Sequence, residues 1–229
     1  MDFSEIDTPF AVIDYERLVS NLERHLLRTQ QQGIASRPHA KTHKIPEIAK
    51  LQLEYGARGI TLATIGEAEV FVEAGIDDIF LAYPLWLTPR KAARLQALAA
   101  RARVGVGVDS VAGIRQAATT LGTTTIEFMV EVDSGHHRSG IDPHQVVPLA
   151  QALADHNLAL RGVFTYPGHS YQPDTKDDAS QDEVTALTIA TSALESAGFE
   201  VLERSGGSTP SVHSTQSFLT ETRAGVYAL

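Results

Sequence analysis

Short apolar runs of the β-strand type alternate along the chain with segments whose apolar residues recur at helical spacing. In the first helical segment, residues 15–32, Leu18 and Leu22 fall on one face and Gly33 marks the end. Residues 104–108 show the contrasting strand pattern, with valine at every second position. This alternation predicts a parallel α/β fold in which each strand is followed by a helix.

The number of strand and helix units predicts a closed (β/α)8 barrel of the TIM type, formed as one domain over residues 1–229. The predicted strands are 11–13, 36–41, 59–63, 78–83, 104–108, 126–132, 160–166 and 201–203. The predicted helices are 15–32, 46–55, 67–74, 88–101, 111–121, 143–156 and 182–197. The alternative is a doubly wound open sheet, which usually has fewer strands and a glycine-rich turn after its first strand. Residues 14–17 supply no such turn.

Composition narrows the possible partners and compartments. The 229 residues are 43% hydrophobic, which is enough for one large core. A net charge of -9 argues against non-specific binding of nucleic acid, because most of the surface repels phosphates. The absence of cysteine excludes disulfides and thiolate metal sites. We find no signal peptide and no apolar run that could span a bilayer, so we expect a cytoplasmic protein with no membrane partner.

A basic octet, RPHAKTHK, occupies residues 37–44. Strand periodicity predicts that the four basic side chains at alternate positions share one face. These side chains are Arg37, His39, Lys41 and His43. Pro46 is placed to begin a helix, so Lys41 is predicted to lie where a strand gives way to a loop.

Lys41 can act as a nucleophile only when its amine is partly neutral, because the protonated amine has no lone pair. Burial and neighbouring cations lower the pKa of a lysine, and Arg37 and Lys44 are the neighbours expected to do so here. The alternative is a basic loop in solvent, or one that holds an anion by charge alone. That is the commoner role of a basic cluster.

Functional groups of such barrels collect at the carboxyl ends of the strands. The polar and aromatic residues that the predicted strands place there are Lys41, His43, Tyr83, Asp109, Glu131, Asp133, His136, His137, Arg138, Tyr166, His169 and Tyr171. A single histidine is usually structural, but convergence of these residues on one rim predicts a site. Residues 170–181 are predicted to form a long loop, either a lid or a surface excursion.

The segment SGGSTP, residues 205–210, is predicted to bind phosphate, although a plain turn is the alternative. Its glycines let backbone N–H groups converge on an anion, and Ser208 and Thr209 add hydroxyl donors. Gly225 offers a second close approach of the backbone. A phosphate site opposite Lys41 matches pyridoxal phosphate, which carries an aldehyde and a phosphate. A cofactor-free barrel aldolase acting on a sugar phosphate is a further alternative.

Six motifs occur in order along nearly the whole chain: RPHAKTHK, DDIFLAYP, EVDSGHHRSG, GVFTYPGHSY, SGGSTPS and LTETRAGVY. In this order and spacing they resemble the fold-type III pyridoxal-phosphate enzymes of the D-serine dehydratase and D-threonine aldolase family, which are relatives of alanine racemase. The resemblance implies that residues 1–229 form an alanine racemase-like N-terminal barrel that binds pyridoxal 5'-phosphate. It also implies a homodimer and a small D-amino acid as substrate.

The resemblance makes Lys41 the Schiff-base lysine and places Arg138 near the pyridine ring of the cofactor. The residues that it implies line the cofactor or flank the lysine are Tyr166, Tyr171, His39 and His43. The residues that match the phosphate clamp are Gly207, Ser208, Thr209, Gly225 and Tyr227.

Enzymes of this family continue into a β-rich C-terminal domain that supplies a histidine and a cysteine or aspartate to a divalent metal. The sequence ends at Leu229, so we expect a barrel without that β domain, and zinc or manganese only where the domain is present. The implied function is a pyridoxal-phosphate-dependent lyase acting on D-configured β-hydroxy amino acids, by D-serine dehydration or D-threonine aldol cleavage. The alternative is a non-catalytic barrel that binds and stores the cofactor.

Overall fold

A computed structural model describes residues 5–213 and 218–229, and these residues contain eight β-strands and seven α-helices. The strands are Ala35–Ser36 (β1), Ile60–Leu62 (β2), Asp78–Pro84 (β3), Arg103–Val108 (β4), Glu127–Glu131 (β5), Ala159–Phe164 (β6), Glu203–Gly206 (β7) and Glu221–Thr222 (β8). The helices are Tyr15–Gln32 (α1), Pro46–Glu54 (α2), Ile65–Glu73 (α3), Pro89–Ala99 (α4), Val111–Leu121 (α5), Val146–Asp155 (α6) and Lys176–Ser196 (α7).

The strands form one parallel sheet in the order β1-β8-β7-β6-β5-β4-β3-β2. An isolated parallel bridge between His39 and Thr61 joins the two ends of this order, and the Thr61 N–H donates to the Pro38 carbonyl at 2.8 Å. Hydrogen bonds therefore run around the whole ring. The predicted (β/α)8 barrel is confirmed.

Local capping explains why several predicted helix boundaries agree with the structure. The Asp14 side chain accepts a hydrogen bond from the Arg17 N–H at the start of α1, and Gly33, at φ 68°, ends that helix in the left-handed conformation. Thr64 and Glu67 form a reciprocal capping box at the start of α3, which begins at Ile65, two residues before the predicted start. These signals are local in sequence, so they can be recognised without the tertiary structure.

The described structure has the predicted number of strands, but one predicted strand is absent and one observed strand was not predicted. Residues 11–13, predicted as the first strand, form no strand and are exposed, because no other strand pairs with them in the described structure. The first strand is instead β1, and the eighth is β8, a two-residue strand that the sequence pattern missed. Glu221 and Thr222 are polar but fully buried, so β8 carries no hydrophobic signal. The predicted loop 170–181 is also shorter, since α7 already begins at Lys176.

Side chains alternate between two layers along the strands, as strand geometry requires. Residues such as Leu62, Ile79 and Val106 pack outward against the surrounding helices. Phe80, Met129 and Phe164 point inward and form a separate cluster inside the barrel. This inward cluster fills the middle of the barrel.

Ion pairs close the amino end of the barrel below the aromatic cluster. The Arg37 guanidinium lies 2.6 Å from an Asp78 oxygen and 2.8 Å from a Glu221 oxygen. Arg161 pairs with Glu203 and, at 2.6 Å, with Glu127. Within residues 5–213 and 218–229, these ion pairs occupy the amino end of the barrel. Among residues 5–213 and 218–229, none of the helices combines the length and the hydropathy needed to cross a bilayer.

Candidate functional site

A pocket opens at the carboxyl ends of the strands, and most of the predicted site residues line it. Its lining comprises His39, Lys41, Thr42, Ala82, Glu131, Arg138, Phe164, Tyr166, Tyr171, Gly207, Ser208, Thr209, Arg223, Gly225 and Val226. Lys41 and Gly207 thus share one barrel mouth, as the sequence predicted. The predicted residues that this lining does not include are His43, Tyr83, Asp109, Asp133, His136, His137, His169 and Tyr227.

Lys41 reaches the pocket from a 3-10 turn, Ala40–Thr42, that follows β1. The His39 ring accepts a hydrogen bond from the Lys41 N–H, and Lys44 has a φ of 55°, so the backbone turns sharply here. The predicted strand periodicity is therefore wrong beyond His39. Arg37 lies in the amino-end ion pairs, and the Lys44 ammonium lies 3.1 Å from a Glu67 oxygen.

The Lys41 amine is activated by its neighbours. Partial burial lowers the pKa of Lys41, and the positive charges of Arg138 and Arg223 lower it further. Lys41 Nζ lies 5.1 Å from the centroid of the Tyr166 ring, and Arg138 Cζ lies 4.8 Å from the same centroid. A lower pKa leaves more of the amine neutral near pH 7. The cations responsible are therefore Arg138 and Arg223, and not the predicted Arg37 and Lys44.

Arg223 is a site residue that the sequence analysis did not select. It is buried at 6% exposure, donates to the Ser205 hydroxyl at 3.2 Å and to the Thr165 carbonyl, and lies over the rings of Phe80 and Phe164. Its position in the motif LTETRAGVY was the available signal. A buried guanidinium held in this way places a fixed positive charge under the pocket.

At the predicted phosphate site, residues 205–210, the loop offers hydroxyl groups in place of the predicted cradle of backbone amides. The Gly207 N–H donates to the buried Glu183 carboxyl at 2.6 Å, and the Ser208 N–H donates to the Ser211 hydroxyl at 2.9 Å. Both amides are thus occupied by the protein itself. We call Ser208 and Thr209, the two hydroxyl residues of this loop that line the pocket, the hydroxyl wall.

The hydroxyl wall connects three segments of the chain. Ser170 Oγ and Ser208 Oγ lie 2.8 Å apart, which joins the turn after β6 to the loop after β7. The Thr209 hydroxyl accepts a hydrogen bond from the Val226 N–H at 3.0 Å, which joins that loop to the last turn of the chain. Val226 is a further lining residue that the sequence analysis missed.

Tyr227 packs behind the pocket because the 3-10 turn Val226–Ala228 directs its ring toward α1. The ring stacks on His25 with centroids 3.8 Å apart, and the hydroxyl accepts a hydrogen bond from the Gln52 amide at 3.2 Å. Its side chain therefore supports the wall, which differs from the predicted place in a phosphate clamp. The His43 ring, which is also outside the lining, accepts a hydrogen bond from the Ile45 N–H at 3.0 Å, just before α2 begins.

The lining suits a small molecule with an aldehyde and an anionic group. Lys41 supplies an amine of lowered pKa, Arg138 and Arg223 supply positive charge, and the hydroxyl wall supplies donors. One oxygen of the buried Glu131 carboxyl has no hydrogen-bond partner within the described structure. Pyridoxal phosphate fits this donor set. Within residues 5–213 and 218–229, no three histidine, aspartate or glutamate side chains are grouped to hold a metal ion.

The fold and site together define an α/β barrel whose ligand pocket lies at the carboxyl ends of its strands. The sequence profile of the alanine racemase N-terminal domain matches residues 13–229. The chain belongs to that family.

Relatives of this chain include enzymes that act on D-configured hydroxy amino acids. The D-threo-3-hydroxyaspartate dehydratase of Delftia sp. (strain HT23) is 37% identical over an alignment of 236 positions, gaps included. This alignment covers 97% of this chain and 61% of the relative. The D-threonine aldolase of Arthrobacter sp is 34% identical over 98% of this chain and 62% of its own. The crystal structure of D-threonine aldolase from Filomicrobium marinum superposes with a TM-score of 0.90 at 30% identity, over 97% of this chain and 62% of that one. The chain thus spans about three fifths of each relative.

Proposed function

We propose that this chain is the cofactor-binding barrel of a pyridoxal-phosphate-dependent lyase that acts on D-configured β-hydroxy amino acids. The observation that carries the proposal is the placement of the Lys41 amine, with a lowered pKa, in one pocket with two arginines and the hydroxyl wall. The names of the relatives, a dehydratase of D-threo-3-hydroxyaspartate and an aldolase of D-threonine, support the substrate class.

Each wall of the pocket has a separate task in this proposal. Lys41 supplies the amine for the cofactor aldehyde. Ser208 and Thr209 bind the phosphate, with Gly207, Gly225 and His39 completing the surrounding surface. The residues that would hold the ring are Arg138, Arg223, Tyr166 and Tyr171, which also line the pocket. When bound, pyridoxal phosphate withdraws electrons from the bonds around the substrate Cα atom, so these bonds break more easily.

Lys41 is also the candidate for proton transfer at Cα. A substrate amine that takes its place leaves the lysine amine free, and the lowered pKa keeps part of that amine neutral and able to accept a proton. Loss of the Cα proton leads to dehydration when the β-hydroxyl departs. Cleavage of the Cα–Cβ bond is the aldol route, and the proposal covers both outcomes.

Cofactor attachment is tested by adding pyridoxal phosphate to the purified chain, reducing with borohydride and locating the modified residue by mass spectrometry. We expect the loaded protein to be yellow before reduction, and borohydride to bleach it and leave the cofactor attached to Lys41. Lys41→Ala should be colourless with an unchanged circular dichroism spectrum, whereas Lys44→Ala, the control at a neighbouring exposed lysine, should remain yellow. A folded Lys41→Ala variant that keeps the colour would overturn the assignment.

Lyase activity is tested by adding D-serine, D-threonine and their L-enantiomers to the loaded protein, with and without zinc or manganese. We expect pyruvate from D-serine or glycine from D-threonine, and neither product from the L-enantiomers. Colour at Lys41 without any product under these conditions would instead support a barrel that only binds the cofactor.

A further inference from the structure

Glu131, the last residue of β5, is a buried carboxyl that the proposed function does not yet use. Its side chain is 2% exposed and faces the same pocket as Lys41 and Arg138. One oxygen, Oε1, accepts a hydrogen bond from the Ser139 hydroxyl at 2.9 Å. The other oxygen, Oε2, is buried and has no hydrogen-bond partner in residues 5–213 and 218–229.

An unpartnered buried carboxyl oxygen is costly, because burial removes its hydrogen bonds to water. Glu221, a buried carboxylate at the amino end of the barrel, shows the usual solution. Its two oxygens accept hydrogen bonds from Arg37 at 2.8 Å and from the Ser205 hydroxyl at 2.7 Å. Glu131 differs because the residue lines the pocket while its second oxygen has no partner in the described residues. The missing partner is therefore best supplied by a ligand in that pocket.

The neighbouring cations do not take this role. Arg223 directs its guanidinium to the Ser205 hydroxyl and the Thr165 carbonyl, and Arg138 lies over the Tyr166 ring. Burial raises the pKa of Glu131, although the Ser139 hydroxyl opposes the rise. A larger share of the carboxyl is therefore protonated than in water. Glu131 can consequently donate a hydrogen bond as well as accept one.

The bond to Ser139 orients the carboxyl. Ser139 directly follows Arg138, and the loop that carries both residues is tied back to β5, where the Ile141 N–H donates to the Glu131 carbonyl at 3.0 Å. The Oε1 atom is thus held by the loop, and Oε2 remains the oxygen without a partner in the described residues. A hydrogen-bonding group fixed in this way can select a ligand by the position of one polar atom.

We propose that Glu131 is a cofactor-binding residue whose Oε2 atom hydrogen-bonds a polar atom of the cofactor ring, while Oε1 remains bound to Ser139. This inference rests on the proposed function, because it takes pyridoxal phosphate as the ligand. It adds a contact to the ring that is separate from the lysine amine and from the hydroxyl wall.

Two variants separate the hydrogen bond from the charge. Glu131→Gln removes the charge but keeps a donor and an acceptor, and Glu131→Leu removes both in a similar volume. We expect Glu131→Leu to raise the Kd for pyridoxal phosphate by about ten- to a hundredfold relative to Glu131→Gln, as for the loss of one buried hydrogen bond to a polar group. Inorganic phosphate should bind both variants equally, because they have the same charge and an intact hydroxyl wall.

Equal affinities of the two variants for pyridoxal phosphate would overturn the inference, as would a matching loss of inorganic phosphate binding in Glu131→Leu. If Glu131→Leu fails to fold, the absorbance maximum of the cofactor in Glu131→Gln decides. We expect it to differ from the wild-type maximum, because the amide cannot ionise, and an unchanged maximum counts against Glu131. A wild-type chain that binds no pyridoxal phosphate removes the proposed function itself, whereas normal wild-type binding with an unaffected Glu131→Leu removes only this contact.

Discussion

Burial decides what the individual charged residues of this barrel can do. Lys41 stands at the pocket mouth, where partial burial and two arginines lower its pKa. Glu183 is fully buried behind the same pocket and accepts a hydrogen bond from the Gly207 N–H. The ionisation of both residues is set by neighbours that are distant along the chain.

Replacing Arg138 by glutamine should raise the pKa of Lys41, because one of the two cations that lower it is lost. A raised pKa leaves less neutral amine, so Lys41 should react more slowly at pH 7 and the midpoint of its reactivity should move to higher pH. Acetylation by acetic anhydride across a pH series, quantified by mass spectrometry, measures this midpoint. Arg90→Gln, at an exposed arginine of α4, is the control and should leave it in place. An unmoved midpoint in Arg138→Gln would contradict the assigned cause.

Glu183→Gln should stabilise the protein at pH 8. Burial raises the pKa of Glu183 to about 7, although the Gly207 N–H and the Arg223 charge oppose the rise. Because the folded state favours the protonated carboxyl, this contribution is complete below the ordinary glutamate pKa of about 4.5 and is lost as the pH rises through about 7. The amide cannot ionise. The unfolding free energy of the variant minus that of wild type should therefore be larger at pH 8 than at pH 4.5, by on the order of 3 kcal/mol.

Urea unfolding of Glu183→Gln and wild type at several pH values measures this difference. Glu195→Gln, at an exposed glutamate of the same helix, should show no such pH-dependent gain. Parallel stability curves for Glu183→Gln and wild type between pH 4.5 and 8 would contradict the prediction.

At the scale of elements, short turns do more than the strands to shape the pocket. The 3-10 turn Ala40–Thr42 carries Lys41, and the loop after β7 meets the turn Val226–Ala228 through Thr209. Gly225 permits this arrangement, since a Cβ atom there would lie 2.6 Å from the His39 carbonyl oxygen. The three segments are far apart in sequence, and the barrel brings them to one rim.

Thr209→Val should weaken phosphate binding, because it removes the hydroxyl of the wall and preserves the side-chain volume. We expect an increase of about tenfold in the Kd for inorganic phosphate, as for the loss of one charge-assisted hydrogen bond. Isothermal titration calorimetry measures the affinity. Thr185→Val, at an exposed threonine of α7, should bind as wild type does. Equal affinities of the two variants would exclude Thr209 from the phosphate site.

The whole molecule is a barrel with a closed amino end and an open carboxyl end. Buried ion pairs around Arg37 and Arg161 and the cluster of Phe80, Met129 and Phe164 fill the lower part of the ring. The ligand pocket therefore lies at the opposite mouth. The same ion pairs include Glu221 of β8, so closure of the barrel depends on them.

Arg37→Met should strongly destabilise the barrel, because it leaves the buried Glu221 carboxylate without its guanidinium partner. We expect a loss of about 3–5 kcal/mol in the free energy of unfolding. Arg17→Met is the matched control, since the Arg17 side chain is 85% exposed in its ion pair with Asp14. That variant should lose less than about 1 kcal/mol. Urea denaturation measures both, and similar small losses would show that the buried pairs are not needed for closure.

Sequence patterns predicted those features that depend on near neighbours in the chain. The predicted bounds of α1 agree with the structure because Asp14 is a local signal for the start of a helix and Gly33 is a local signal for its end. The predicted bounds of α5 agree as well. The sequence pattern missed β8 because its two residues are polar. Its partner strands are also not adjacent in the pattern: β1 lies 185 or more positions earlier, and the other partner is β7. The predicted orientation of Arg37 was wrong for a related reason, because its carboxylate partners, Asp78 and Glu221, lie in the distant strands β3 and β8.

The sequence by itself determined the barrel class, most of the helices, and ten of the pocket residues, because hydrophobic periodicity and short motifs record local geometry. Only the tertiary structure decided which cations lower the pKa of Lys41, that the Gly207 and Ser208 amides are occupied by protein groups, and that Glu131 keeps an unpartnered oxygen. The physical reason is that electrostatic and hydrogen-bonding partners are chosen by distance in space. In a parallel barrel, residues at the same rim are separated by whole strand and helix units along the chain.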